Sequence, residues 1–156
     1  MCAKVRRRKT AMQLRGWKYE DILKISEMEK DCFPLEPWSF RMLASSFDSE
    51  SFCGIIAEDG GEIIGYGGMT VAADTADIDN VAVAEPYRRN GAGTAIIARL
   101  LEIARDRGVK KVFLEVRVSN AEAMRVYLKS GFKGVYARTR YYSDGEDCLV
   151  MAKSLI

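Results

Sequence analysis

The stretch that most restricts the possible folds is VAVAEPYRRNGAG, residues 81–93. It begins as an apolar run of strand composition, turns at Glu85-Pro86 and ends in two glycines that open a helical pattern. A second strand-like run, KVFLEVRV at residues 111–118, follows that helix. Strand, helix, strand in this order requires a parallel pair. The helix start itself favours an anion, because its first N–H groups lack partners and the macrodipole adds partial positive charge. Gly91 and Gly93 leave the backbone open to a ligand, and Arg88 and Arg89 add charge beside it. The stretch reads as the seat of a phosphorylated cofactor.

The rest of the chain surrounds this unit with hairpins and helices. Residues 11–17 suit a first strand. Residues 19–33 suit a helix, with Ile22, Ile25, Met28, Glu29 and Cys32 on the helical period. Pro34 and Pro37 stop it, and Ser39 caps a second helix at 40–47. Between the two helices, FPLEPWS (33–39) forms a rigid aromatic loop, a candidate wall for a cleft. The pattern then alternates over 51–58 and 62–71 around Asp59-Gly60-Gly61, a hairpin signal. Gly65, Gly67 and Gly68 predict a bulge or a close backbone approach. A further strand at 74–83, a helix at 93–107, the strand at 111–118, a helix at 120–129 with a Ser119/Glu122 capping box, and strands at 133–139 and 148–154 complete the order β α α β β β α β α β β. This is an α+β layer architecture: a mixed, mostly antiparallel sheet with one parallel pair and helices on both faces. At 156 residues it reads as one domain, residues 11–156, behind a basic leader at 1–10. The leader carries +5 of a net +2, which leaves −3 on the remainder and no general case for a nucleic-acid-binding body. It reads as a solvated tail or as an electrostatic tether to ribosomal RNA or an acidic partner.

Absences narrow the chemistry. The chain has no histidine, which excludes Ser-His-Asp and Cys-His catalysis and every His-ligated zinc site. Its four cysteines form no C-x-x-C pair, so no metal is expected. Cys53 and Cys148 read as buried free thiols, which suits a cytoplasmic protein. No apolar run approaches membrane-spanning length. The glycine loop lacks the leading glycine of a dinucleotide fingerprint and the Gly-Lys-Ser/Thr of a Walker loop.

Two further features suggest chemistry beside the loop. In KVFLEVRV, Glu115 shares one face with Phe113 and Arg117. It reads as a carboxylate on a solvated face, or as a general base in a cleft with its pKa raised by partial burial. Asn120 and Tyr127 are two helical turns apart and share a side. Tyr127 reads as a core aromatic or as a proton-donating phenol.

Together these residues resemble the GNAT family of N-acetyltransferases, and within it the RimI-like branch that acts on ribosomal-protein alanine N-termini. RRNGAG (88–93) fits the family's pyrophosphate loop. LEVRVSNAEAMRVYLKSGF (114–132), FPLEPWS and RYYSDGEDCLVM (140–151) are similar to more specific segments of that branch. The resemblance implies a GNAT fold with a splayed parallel pair, and acetyl-CoA as cofactor. It implies that Val81, Ala82 and Val83 pair with the pantetheine arm, that Arg88, Arg89, Asn90, Gly91, Ala92, Gly93 and Thr94 hold the pyrophosphate, and that Asn120 bonds the pantetheine end. It implies Glu115 as base, Tyr127 as acid, and Pro37, Trp38, Tyr141 and Tyr142 as substrate contacts. Asn90 departs from the family's usual Arg or Lys. The substrate implied is a protein or peptide N-terminus, a ribosomal protein being one candidate. Acylation of a small amine or a lysine, and a non-catalytic coenzyme A-binding module, are the alternatives.

Overall fold

A computed structural model describes residues 12–156; the basic leader at 1–10 lies outside the described residues. The elements are β1 (Met12–Gly16), α1 (Ile22–Cys32), α2 (Phe40–Phe47), β2 (Phe52–Asp59), β3 (Glu62–Ala72), β4 (Thr75–Val83), α3 (Ala92–Asp106), β5 (Lys111–Arg117), α4 (Ala121–Lys129), β6 (Lys133–Arg138) and β7 (Cys148–Ser154). This is the expected order. Short 3₁₀ turns at Tyr19–Asp21 and Glu85–Tyr87 are added, so the first helix starts later than residue 19.

The strands form one sheet in the order β1-β2-β3-β4-β5-β7-β6. Among the described residues only β4 and β5 pair in parallel, over Thr75–Ile78 against Lys111–Leu114. The rest of β4, from Asn80 to Val83, pairs with β3 alone. A bulge starts this divergence. On β3, Gly68 faces Asn80 and Met69 faces Ile78, so Asp79 is an inserted residue with no partner. The inserted residue twists its strand and ends regular pairing on the far side.

Successive residues of the sheet point to opposite faces, and each face buries its own cluster. Ile55, Ala57, Ile96, Leu100, Val112 and Leu114 pack on the side of α3 and α4. Ile56, Tyr66 and Ala82 pack with Ile22, Ile25, Met28 and Leu43 on the side of α1 and α2. Helices cover both faces, as the pattern requires.

Two local expectations change. Ser119 does not cap α4; Asn120 is the N-cap, and its side chain accepts from the Ala123 N–H at 3.1 Å. Asn and Ser serve equally well at this position, and the chain starts the helix one residue later. Cys148 is buried, whereas Cys53 is only partly buried.

The glycines of β3 do what their clustering suggested. A Cβ on Gly67 would stand 2.5 Å from Ile96 Cγ2 and 3.2 Å from Leu100 Cδ1. Cγ2 of a buried Ile96 has no rotamer escape, so α3 rests directly on the β3 backbone. Gly67→Ala is expected to cost about 2–3 kcal/mol through overpacking, and to lower the melting temperature by roughly 5–10 °C in calorimetry. An unchanged melting temperature would refute this close contact.

Candidate active site

Where β4 leaves β5 the sheet opens into a cleft of about 930 Å³. Its floor and one wall come from β4 (Asp77 to Val81) and β5 (Leu114 to Arg117). The N-cap and inner face of α4 supply Asn120, Ala123 and Tyr127, and the loop after α1 supplies Phe33 to Glu36 and Trp38. The β6–β7 loop adds Tyr141, Tyr142, Asp144 and Glu146. The cleft thus gathers Val81, Glu115, Asn120, Tyr127, Trp38, Tyr141 and Tyr142, which lie far apart in sequence. Pro37 is a correction: it does not line the cleft. A turn at Phe33–Glu36, closed by the Glu36 N–H to the Phe33 carbonyl at 3.3 Å, gives the wall to Phe33, Pro34, Leu35 and Glu36, with Trp38 beyond.

The open edge of β4 has hydrogen-bonding groups to spare. Ala84 donates to Ile64 at 2.8 Å, so in an antiparallel ladder Val81 and Val83 turn their backbone groups away from β3. Beyond the strand, Arg89, Asn90, Gly91, Ala92, Gly93 and Thr94 donate their N–H groups to no acceptor among the described residues; the first helical bond runs from Ala95 to Gly91 at 3.0 Å. Gly91 caps α3 with φ 82°, and a Cβ there would meet nothing, so the space in front of it is open. Arg89 also has positive φ, at 65°. Consecutive free N–H groups with left-handed turns form an anion-binding concavity. The residues present therefore fit a pyrophosphate with an extended arm running along β4.

The two arginines are used differently. Arg89 is 88% exposed and free to meet a charge, with Glu122 at 3.8 Å. Arg88 instead folds back, donating from Nε to the Val83 carbonyl at 2.8 Å and approaching Cys32 Sγ at 3.6 Å. It clamps the strand end and does not face the loop. Asn90 bonds weakly to the Tyr87 carbonyl at 3.4 Å and leaves its own N–H free.

Glu115 and Tyr127 face the cleft from different surroundings. The Glu115 side chain is 38% exposed and meets Arg138 at 3.5 Å, so β5 holds it partly covered at the cleft mouth. Tyr127 is 9% exposed, edge-on to Phe132, and burial pushes its phenol up to about 12. The Glu115 carboxylate likewise pushes Tyr141 up. Arg117 stacks 4.0 Å from the Tyr142 ring and bonds Asp144 and Glu146, while Ser143 donates to Glu36. These contacts tie the β6–β7 loop to the loop after α1 across the cleft.

Some cleft residues were not singled out in the sequence as site residues. Glu29 is fully buried beside it. The available signal was a carboxylate on the apolar period of α1. Asp79 could not be found, since nothing in the sequence marks it as the bulge residue.

Residues 22–132 match the model of the Acetyltransferase (GNAT) family. The chain belongs to this family. GNAT enzymes are acyltransferases that use acetyl-CoA. The chain is 35% identical over 119 residues to the [ribosomal protein bS18]-alanine N-acetyltransferase of Escherichia coli, covering 74% of this chain and 80% of that one. It is 29% identical over 156 residues to an N-alpha-acetyltransferase of Sulfurisphaera tokodaii, covering 92% and 93%. The crystal structure of the ribosomal-protein-S18-alanine N-acetyltransferase from Escherichia coli superposes with TM-score 0.84 at 30% identity, over 92% of this chain and 94% of that one. As a GNAT enzyme, the protein is an N-acetyltransferase. No helix among the described residues is long and apolar enough to cross a membrane.

The bulge residue gives a pH prediction. Burial raises the Asp79 carboxyl to about 6, against the lowering effect of the Thr70 hydroxyl bond at 2.7 Å. An acid whose pKa is higher when folded disfavours the fold once it ionises. This cost is absent below about pH 4 and complete above about pH 6. Asp79→Asn, which retains an acceptor for Thr70, is expected to melt several degrees higher than the wild type at about pH 7.5 and equally near pH 4. Thermal melts across that range check it; a constant difference at all pH values would refute the titration.

Proposed function

We propose that the protein acetylates the α-amine of a protein N-terminus, directly from acetyl-CoA, with a ribosomal protein as its substrate and the cytoplasm as its location. The observation that carries this reading is the cleft itself. One opening joins the free edge of β4 to a carboxylate (Glu115), a buried phenol (Tyr127) and an aromatic peptide-side loop (Trp38). The names carried by the Escherichia coli and Sulfurisphaera tokodaii relatives support an N-terminal amine over a lysine or a small amine.

When bound, acetyl-CoA supplies an acyl thioester. N–H groups from Arg89 to Thr94 hold its pyrophosphate, and Val81 to Val83 line its arm as an added strand would. Asn120 uses its side-chain oxygen to cap α4, which leaves its amide N–H2 for the arm. A backbone N–H near Val83 would be the donor available to the thioester oxygen. The incoming amine attacks only when neutral. An α-amine, with a reference pKa near ~8, demands less of a base than a lysine near ~10.4. Glu115 accepts the amine's proton through a water. Its exposure at the mouth of the cleft lets it pass that proton to solvent. Tyr127 stays protonated throughout the neutral range because burial has raised it to about 12. That is above the optimum for a general acid, so Tyr127 would serve as a hydrogen-bond donor to the thioester sulfur and as the source of the proton that a leaving thiolate needs.

Mass spectrometry of Ala-, Ser- and Met-starting peptides, incubated with acetyl-CoA and the protein, tests the reading. One acetyl group is expected on the free N-terminus and none on the same peptide blocked there. Acetylation confined to lysine would overturn it. Glu115→Gln and Tyr127→Phe are each expected to lower kcat about 10²-fold. Near-wild-type turnover in both would remove their assigned roles.

A further inference from the structure

Glu29 is a buried carboxylate that neither the cofactor loop nor the proton transfers use. It stands on the inward face of α1, with 0% of its surface exposed. An ionised carboxylate is tolerated there only if polar groups replace its water. Three do, and each comes from a different part of the chain. Oε1 accepts the Tyr66 hydroxyl of β3 at 2.6 Å and the Asn80 amide of β4 at 2.7 Å. Oε2 accepts the backbone N–H of Trp38 at 3.1 Å. All three partners are donors, so the position calls for a group that only accepts.

Two of the partners belong to the two sides of the cleft. Trp38 is in the loop that walls it. Asn80 follows the bulge at Asp79 and immediately precedes Val81, where the open edge of β4 begins. We propose that Glu29 is a positioning residue for the acetyl transfer: its carboxylate fixes the Trp38 loop against the β4 segment that borders the cofactor, and so sets the spacing between peptide and acetyl donor. This rests on the reading that the cleft takes a peptide N-terminus beside acetyl-CoA.

Glutamine separates this role from simple support of the fold. In Glu29→Gln the new side chain keeps its oxygen on Tyr66 and Asn80, the stronger pair. It then turns its own N–H2 towards the Trp38 N–H, donor against donor. The link that fails is the one to the loop.

Steady-state kinetics with each substrate varied at saturating levels of the other, together with thermal melts, test the proposal on the whole chain. Glu29→Gln is expected to raise the peptide KM about tenfold, with kcat and the acetyl-CoA KM within about twofold of wild type, the pattern of lost positioning of one substrate. Asn80→Ala, which cuts the loop from β4 at the other end, is expected to raise the peptide KM in the same direction. Tyr66→Phe removes a donor outside the cleft while leaving the Trp38 link, and is expected to lower the melting temperature with the peptide KM unchanged. If Glu29→Gln does not fold, Asn80→Ala decides: an unchanged peptide KM there overturns the proposal. A Glu29→Gln protein that loses only melting temperature or active fraction, with its peptide KM unchanged, overturns it as well. A wild-type protein that turns over no N-terminal peptide overturns the parent reading and this one together, whereas wild-type turnover with an unaltered variant KM overturns this one alone.

Discussion

Everything functional in this protein depends on a pairing that stops early. Strands β4 and β5 run side by side for four residues each, Thr75–Ile78 and Lys111–Leu114, and then separate. A sheet abandons its hydrogen bonds only where something else satisfies them, because an unpaired buried N–H or C=O is costly. The insertion of Asp79 begins the separation. The glycines of β3 allow α3 to press on the sheet directly behind it. The outcome is a strand with one side zipped to β3 and the other side facing an opening. That free side and the free N–H groups at the start of α3 are continuous, so one ligand can satisfy both. The fold in this sense leaves a strand-shaped vacancy in its own hydrogen bonding.

The opening would be a liability without edges that hold their shape. Charge supplies them. Arg117 lies at the centre, stacked on Tyr142 and bonded to Asp144 and Glu146, with Glu36 at 4.0 Å from the opposite loop. Single exposed ion pairs contribute little, but a guanidinium shared among several carboxylates over an aromatic ring is a network with less freedom to lose. On the other flank, Glu29 uses neutral donors where Arg117 uses charges. Two loops from distant parts of the sequence are thereby held across one cleft by different chemistry, one wet and one dry.

How much of this was legible in the sequence depended on the range of the interaction. The strand–loop–helix at 81–93, the double-glycine hairpin and the period of each element are local, and the sheet and its helices follow from them. Glu115 and Tyr127 were legible as candidates because residue type and period suffice to place a polar group on a face. What was not legible was set by contacts between distant segments. Arg88 turns to Val83 and Cys32 because β4 ends beside α1. Glu115 sits at the cleft mouth, where Arg138 of β6 and Tyr141 of the β6–β7 loop reach it from distant parts of the sequence. Pro37 is left out of the cleft lining while its neighbour Trp38, whose N–H is held by Glu29, is part of it. The helix cap fell to Asn120 and not to Ser119 for a different reason: two good caps were adjacent, and local preference could not choose between them.

The strand β6 shows a final economy. All six of its residues, Lys133–Arg138, are exposed, and it forms one rim of the sheet. A bare rim of this kind invites other chains to add themselves and start an aggregate. Here the register slips between Gly134 and Tyr136, and cations stand at both ends. One of those cations is Arg138, whose guanidinium also reaches Glu115. The same side chain that keeps strangers off the rim therefore meets the carboxylate at the mouth of the cleft, so solubility and access to the cleft cannot be altered separately at this position.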